Sequence, residues 1–374
     1  MTSTNNKSIF SIDDTNKIKG IAILLMIFHH SFMAGRYPEA SINFYPLSEH
    51  ITNVIALQCK ICVAIFTFLS AYGITLSYNS RNTLDKNEIR KQIIRRYVKL
   101  ITGFMFILLC LNIYSIIFGK SWFTHIYGKT IIAPFYAIID FFGLAQFFHT
   151  PTFIATFWYI SLAIVIIFIM PLLILFYRKF GGLLLVFVSM LFSILFPVYT
   201  STASEQKTFC FLSTYSVCIS LGIICADKNL IVKIKEVFNK SKYKILLNSL
   251  KAIFLFAVIL YLIYIRYKTG YTDFLPTLDS VITLLTIAFL YEFINPIPVI
   301  GHILKFLGIH SMNIFLIHNF IRVAWYYDFT YSFKSVWAIF AVLLLISLAI
   351  SVILEFTKKL LNFSKLQDKI IKQL

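Results

Sequence analysis

Residues 156–176 read TFWYISLAIVIIFIMPLLILF, a run without a single charge, and Tyr177-Arg178-Lys179 follow it at once. At about 1.5 Å of rise per residue a helix of that length covers ~30 Å, the thickness of a bilayer's hydrocarbon core. A helix satisfies its own backbone hydrogen bonds there, so this is the form such a run takes in lipid. Working outward, comparable runs recur at 18–35, 54–78, 97–118, 181–199, 208–225, 247–265, 278–294, 303–325 and 335–356. The spacing predicts an all-α, polytopic integral membrane protein of about ten transmembrane helices. Composition agrees, at 59% hydrophobic and 13% charged, where a soluble domain carries ~25% charged residues. The longest polar stretch, Asn79 to Arg95, is only a loop's length, so no soluble domain fits between the runs. The reading is a short N-terminus (1–17), one membrane domain (18–356) and a basic tail (357–374).

The net charge of +18 does not point to nucleic acid, because the basic residues fall in the connections between apolar runs rather than on one face. With 131–148 not crossing, one set of connections carries Arg81, Lys86, Arg90, Lys91, Arg95, Arg96 and Lys99, then Arg178 and Lys179. It continues through the six lysines from Lys228 to Lys244 and ends on Lys358, Lys359, Lys365, Lys369 and Lys372. The opposite set holds only Arg36, Lys120, Lys129, Lys207, Arg266, Lys268 and Lys334. The positive-inside rule then places both termini in the cytoplasm of a plasma-membrane protein. Ile131–Phe148, interrupted by Pro134, Asp140, Gly143 and Gln146, is expected as an amphipathic or re-entrant helix on the outer face. Met1–Asn16 has no cationic segment leading into a cleavable apolar one, so a signal peptide is not expected. Cys59 and Cys62 form a CxxC within an apolar run, which reads as small buried residues rather than a redox or metal motif.

Ionisable groups inside hydrocarbon cost ~3 kcal/mol each on insertion scales and mark function by default. The runs contain His29, His30, Lys60, His318 and Arg322. Counting rise from Lys19 puts His30 ~16 Å deeper along its helix. Lys60 enters from the other side, and His318 and Arg322, at i and i+4, share a helix face. A neutral imidazole is the usual proton acceptor near neutral pH. Cations such as Lys60 and Arg322 can steady an oxyanion in low dielectric. Adjacent residues point in different directions, so only one of His29 and His30 faces such a site. A metal site is not expected, because no intramembrane Asp or Glu accompanies the histidines. GxSxG and phosphate-loop patterns are absent from the sequence.

Four segments, in order, resemble the acyltransferase-3 family of bacterial membrane O-acyltransferases. Asn16–His30 (NKIKGIAILLMIFHH) is similar to its opening helix, with Lys19 at an Arg position and His30 at an essential His. Phe66–Thr75 (FTFLSAYGIT) is similar to an FFxLSGF-like segment, and Arg95–Leu100 (RRYVKL) to an RxxR at the start of the third span. Leu307–His318 (LGIHSMNIFLIH) is similar to a late LGxxSxxIYLIH stretch, and Phe157–Ile160 (FWYI) to a WF/WY signature. The chain departs from the pattern at Lys19, Lys99 and Ala71-Tyr72. Lysine keeps the charge there but loses the planar fork of arginine.

The resemblance implies transfer of an acyl group, commonly acetyl, from acyl-CoA to a sugar hydroxyl of a surface or exported polysaccharide. It implies catalytic roles for His30, expected as the general base, and for Lys19 and His318, with donor binding by Arg95, Arg96 and Lys99. Lys60, Arg322, Ser70 and Trp158 are expected as supporting polar groups. No bound cofactor is implied; acetyl-CoA is a substrate. The expected partners are acyl-CoA, a glycan or lipid-linked sugar and membrane lipids, and a homo-oligomer is compatible with them. The other use of the same polar residues is to line the pathway of a transporter or flippase for a lipid-linked sugar. That class usually shows internal repeats or paired broken helices, and the sequence shows neither.

Overall fold

A computed structural model describes residues 10–38, 42–80, 85–118, 122–200, 207–270 and 275–374. Of the positions used above, Arg81 and Lys120 lie outside the described residues, as do residues 1–9 of the N-terminal stretch. The fold is all-helical; among the described residues the one β-type pairing is an isolated bridge between Asn43 and Ser335.

Helix α1 (Ile12–Phe32) starts six residues before the expected apolar run. Ser11 and Asp14 form a reciprocal capping box: Asp14 N donates to Ser11 Oγ (3.2 Å), and Ser11 N donates to Asp14 Oδ2 (3.0 Å). That cap, not hydropathy, sets the boundary. Next come α2 (Glu49–Gln58) and α3 (Cys62–Asn79), joined by a 3₁₀ turn at Cys59–Ile61 into a single long span. Helix α4 (Lys86–Ile117) projects eleven residues past the expected start at 97.

Segment 131–148, expected as an amphipathic or re-entrant helix, is α-helical only over the short α6 (Ala133–Phe141), and another short helix, α5 (Trp122–Tyr127), precedes it. The nine residues of α6 reach only ~13 Å, too short to cross. The chain breaks at Gly143, whose φ of +68° suits glycine. The buried Asp140 carboxylate anchors the loop by accepting from Tyr127 Oη (2.7 Å), Thr152 Oγ1 (3.0 Å) and Phe153 N (2.6 Å).

The chain continues through α7 (Trp158–Phe180), α8 (Gly182–Thr200), α9 (Lys207–Lys228), the short α10 (Leu230–Glu236), α11 (Lys244–Thr269) and α12 (Leu275–Phe289). A π-helical turn, Leu290–Ile294, ends α12. Then come α13 (Pro298–Ile309), α14 (Ser311–Asn319) with a π-helical extension Phe320–Trp325, α15 (Tyr327–Ser332), α16 (Val336–Leu360) and α17 (Phe363–Gln373). Seven of these segments are long and apolar enough to cross a membrane, and α13 with α14 makes an eighth if the bent pair is one span. All ten expected runs coincide with helix. The run at 303–325, however, is bent by 64° between Ile309 and Ser311. The reason lies in packing: α13 leaves the line of α14 to cross α1 at backbone contact.

Helix α1 sits centrally, against α2, α3, α13, α14 and α16. Helices α7 and α9 pack on α3, α8 packs on α9 and α7, and α11 and α12 form an outer hairpin. On α11 only Leu255, Ile259 and Arg266 are buried, so its exposed Ile253, Phe254, Phe256 and Leu260 form a lipid-facing surface. Buried ion pairs fasten it to α12 and its π turn: Arg266 to Asp279 and Lys251 to Glu292, each at 2.6 Å. A lone buried charge would be far costlier than these pairs.

Candidate active site

Eleven residues separate Lys19 from His30, three helical turns, so both lie on one face of α1 about 16 Å apart. Around Lys19 the packing is backbone on backbone. A Cβ on Gly20 would collide with the Leu304 carbonyl, and one on Gly308 with the Asn16 carbonyl. The neighbouring Lys17 Nζ donates to Asn295 O (3.0 Å), whereas Lys19 forms no ion pair among the described residues. The structure therefore does not bring Lys19 to the histidines. It marks the far end of the face that carries His30.

At the other end of α1 the rings of the two adjacent histidines meet edge to face, centroids 5.0 Å apart, but bond different partners. His29 is buried and its Nδ1 bonds the Ala56 carbonyl on α2 (2.7 Å), a helix-to-helix tie. His30 turns to α14, its ring centroid 5.1 Å from that of His318. His30 Nδ1 lies 3.0 Å from Nη1 of Arg36, in the turn after α1. His318 is fully buried, with Nδ1 at 2.8 Å from Phe315 O and 3.1 Å from Ile314 O. Its Nε2 is buried with no hydrogen-bond partner among the described residues.

Arg322 is in electrostatic range of both rings but directs its hydrogen bonds elsewhere. It falls in the π turn, which alters the i, i+4 register, and its guanidinium bonds Asn319 Oδ1 (2.9 Å), Tyr331 Oη (3.2 Å) and the Arg36 carbonyl (3.3 Å). Tyr331 Oη in turn donates to Ser31 O (3.1 Å). Arg322 thus braces the turn that carries Arg36. Lys60, in the 3₁₀ turn after α2, is in electrostatic range of His29 and on the tie side of α1.

The partners of Ser70 and Trp158 lie away from the histidine rings. Ser70 Oγ donates back to Phe66 O (2.8 Å) and is also bonded with Tyr159. The Tyr159 ring packs edge-on against Phe315 at 5.7 Å, and Phe315 lies 6.4 Å from the His318 ring. Trp158 stacks on Phe211 at 4.1 Å.

The three expected donor residues diverge. Arg95 lines a cavity of about 570 Å³ with Arg90, Lys91 and Lys372. Lys99 lines one of about 630 Å³ with Lys358, Lys359 and Lys365. Arg96 points the other way, donating to the Gly73 carbonyl of α3 (3.3 Å), and serves helix packing. Docked α17 walls both cavities: Gln367 Nε2 bonds Thr102 Oγ1 (2.8 Å), and Arg90 bonds the Leu374 carbonyl (3.0 Å).

Arg36, Asn319, Tyr331 and Tyr159 were not expected at the site. Arg36 lies only six residues past His30, a proximity that points to it, although its place in a connection gives it the look of a loop charge. Nothing in the sequence marks Tyr331.

Comparison with curated proteins found no match, and comparison with solved structures found none either. A family model does match: the acyltransferase domain Acyl_transf_3, over residues 15–356. The match runs from the first turn of α1, just past its cap, through the histidine pair to the body of α16. With most of its length inside that one domain, this helical chain belongs to the acyltransferase-3 family and is a membrane acyltransferase.

Proposed function

We propose that the protein is an O-acyltransferase that moves an acyl group, acetyl in the simplest case, from acyl-CoA to a sugar hydroxyl of a cell-surface or exported polysaccharide, or of its lipid-linked precursor. The observation that carries this reading is the His30–His318 pair, two imidazoles 5.1 Å apart within an apolar helical bundle of an acyltransferase domain. The acceptor hydroxyl oxygen attacks the thioester carbonyl carbon while a histidine takes the hydroxyl proton. The tetrahedral oxyanion collapses, the C–S bond breaks, and the proton passes to the departing thiolate. Ester and free thiol are the products, and the histidine is restored.

The other end of α1 serves the donor. Phosphates fit cationic surfaces, and Arg95 and Lys99 line the basic cavities between α4 and α17. Lys19, three turns below His30, is placed to meet an extended donor on its way to the imidazoles. In this reading the Lys19 end faces the cytoplasm of a bacterial plasma-membrane protein and the His30 end faces out, as the lysine-rich connections favour. A cysteine at Leu230 is then shielded from impermeant thiol reagents in intact cells; labelling from outside overturns the orientation.

The test of function is acetyl-ester content of surface polysaccharide in cells with and without the protein, joined to labelled acetyl-CoA turnover by the purified protein in lipid nanodiscs. Loss of ester with the gene and transfer of label to a glycan hydroxyl support the reading. Unchanged ester content together with no release of free CoA thiol overturns it.

A further inference from the structure

We infer that the two histidines are chemically unequal: His318 Nε2 is the proton acceptor, His30 Nε2–H is a hydrogen-bond donor to the developing oxyanion, and Arg36 is the positioning residue that sets this division. The inference rests on the acyltransferase reading above and names which nitrogen does what.

The assignment follows from the hydrogen-bond partners alone. A guanidinium has five N–H donors and no acceptor. His30 Nδ1, 3.0 Å from Arg36 Nη1, must therefore offer its lone pair, and in the neutral ring the proton is then on Nε2. A backbone carbonyl only accepts. His318 Nδ1, between the carbonyls of Phe315 and Ile314, must therefore carry the proton, which leaves the lone pair on Nε2. That nitrogen is buried and has no partner among the described residues, an uncommon condition for a polar atom and one that an incoming hydroxyl would relieve. The two rings thus present opposite faces, a bare base from α14 and an N–H from α1.

Arg36 is held for this task. Its carbonyl accepts from Arg322 Nη1 (3.3 Å) and lies the same distance from Tyr331 Oη, and Tyr331 also bonds the Ser31 carbonyl (3.1 Å). The turn after α1 is therefore tied to the π segment that follows His318, so that donor and acceptor rings are fixed from one frame. With His30 neutral and donating, the oxyanion meets an N–H. With His318 bare, the hydroxyl meets a lone pair whose other nitrogen is pinned by its own helix. The proton taken by Nε2 of His318 returns to the thiolate as the C–S bond breaks, so no further reactant is needed.

Glutamine places an amide N–H near the position of a histidine Nε2–H but cannot act as a base. His30→Gln therefore retains transfer to within about tenfold, since the donor survives, whereas His318→Gln loses about 10²–10⁴-fold. Arg36→Leu loses at least about tenfold, as expected when the group that sets a tautomer is removed, and Arg36→Lys, which still donates, recovers most of it. The independent readout is nitrogen-15 NMR of histidine-labelled protein in lipid, with each ring assigned by its Gln variant. The expected spectrum has His30 protonated on Nε2, His318 protonated on Nδ1, and His30 changing tautomer in Arg36→Leu. A wild-type spectrum with His30 protonated on Nδ1, or a His318→Gln protein that keeps full transfer, overturns the inference. The NMR measurement needs no turnover. A protein with these tautomers but no acyl transfer would sink the functional reading alone.

Discussion

The two ends of α1 are held by different means. At the Lys19 end the helix meets α13 through Gly20 and Gly308, positions where a Cβ would strike the neighbouring backbone, and polar ties, Lys305 to Asp13 and Lys17 to the Asn295 carbonyl, flank that contact. At the His30 end it meets its neighbours through polar side chains: His29 on Ala56, His30 on Arg36 and beside His318, Tyr331 on Ser31. Backbone contact in a membrane gains close packing with no polar group at stake. Polar contact leaves nitrogens and oxygens that a substrate can engage. One end is closed by backbone contact, and the other carries hydrogen-bonding groups, among them the unpartnered Nε2 of His318.

The largest effect expected from this contrast is chemical. His318→Ala removes the buried base and lowers acyl transfer about 10²–10⁴-fold, with protein in the membrane near wild-type level because a small apolar substitute inserts readily. Transfer assays at matched expression decide it; full activity would move the chemistry elsewhere. Gly308→Leu breaks the closed end instead. Its side chain has no room beside the Asn16 carbonyl, so thermal unfolding in detergent should fall by an amount equivalent to ~1–3 kcal/mol or more. A Gly308→Leu protein that melts like the wild type would show that α1 and α13 can separate freely.

Smaller effects sharpen the same comparison. His29→Ala forfeits one hydrogen bond to the Ala56 carbonyl, costing ~1 kcal/mol of stability but leaving transfer within about tenfold of wild type, since its Nδ1 is committed to α2 rather than to the His30–His318 pair. Loss of transfer equal to that of His318→Ala would put His29 in the reaction. Lys19→Arg should change transfer by less than about threefold, the charge being kept, while Lys19→Ala raises the KM for acyl-CoA more than it lowers kcat. A pure kcat effect of Lys19→Ala would contradict a role at the donor end.

The comparison also explains what was legible beforehand. The fold class could be read because lipid demands uninterrupted apolar runs, and 156–176 or 335–356 can be little else. His30 and His318 stood out for the same reason, as polar groups where polarity is expensive. The length of α1 was not legible from hydropathy, since a capping box of Ser11 and Asp14 carries the helix six residues beyond its apolar run. Nor was the bend near His310, which comes from the fit of one backbone against another and depends on two glycines far apart in sequence. Arg96 looked like its neighbours Arg95 and Lys99, yet helix phase turns it inward to Gly73. Arg36 and Tyr331 depend on which loop lies over which helix end, information that no local pattern carries.

The π-helical turn Phe320–Trp325 amounts to one extra residue lodged in a helix that would otherwise run on in ordinary register. Such an insertion is a dial: remove one residue and everything downstream turns by ~100°. Arg322 would then leave Asn319, Tyr331 and the Arg36 carbonyl together, although the hydrocarbon-facing character of the segment would hardly change. In a library of single-residue deletions, this short stretch should therefore separate two properties that usually fail together, giving proteins that reach the membrane intact and arrive unable to work.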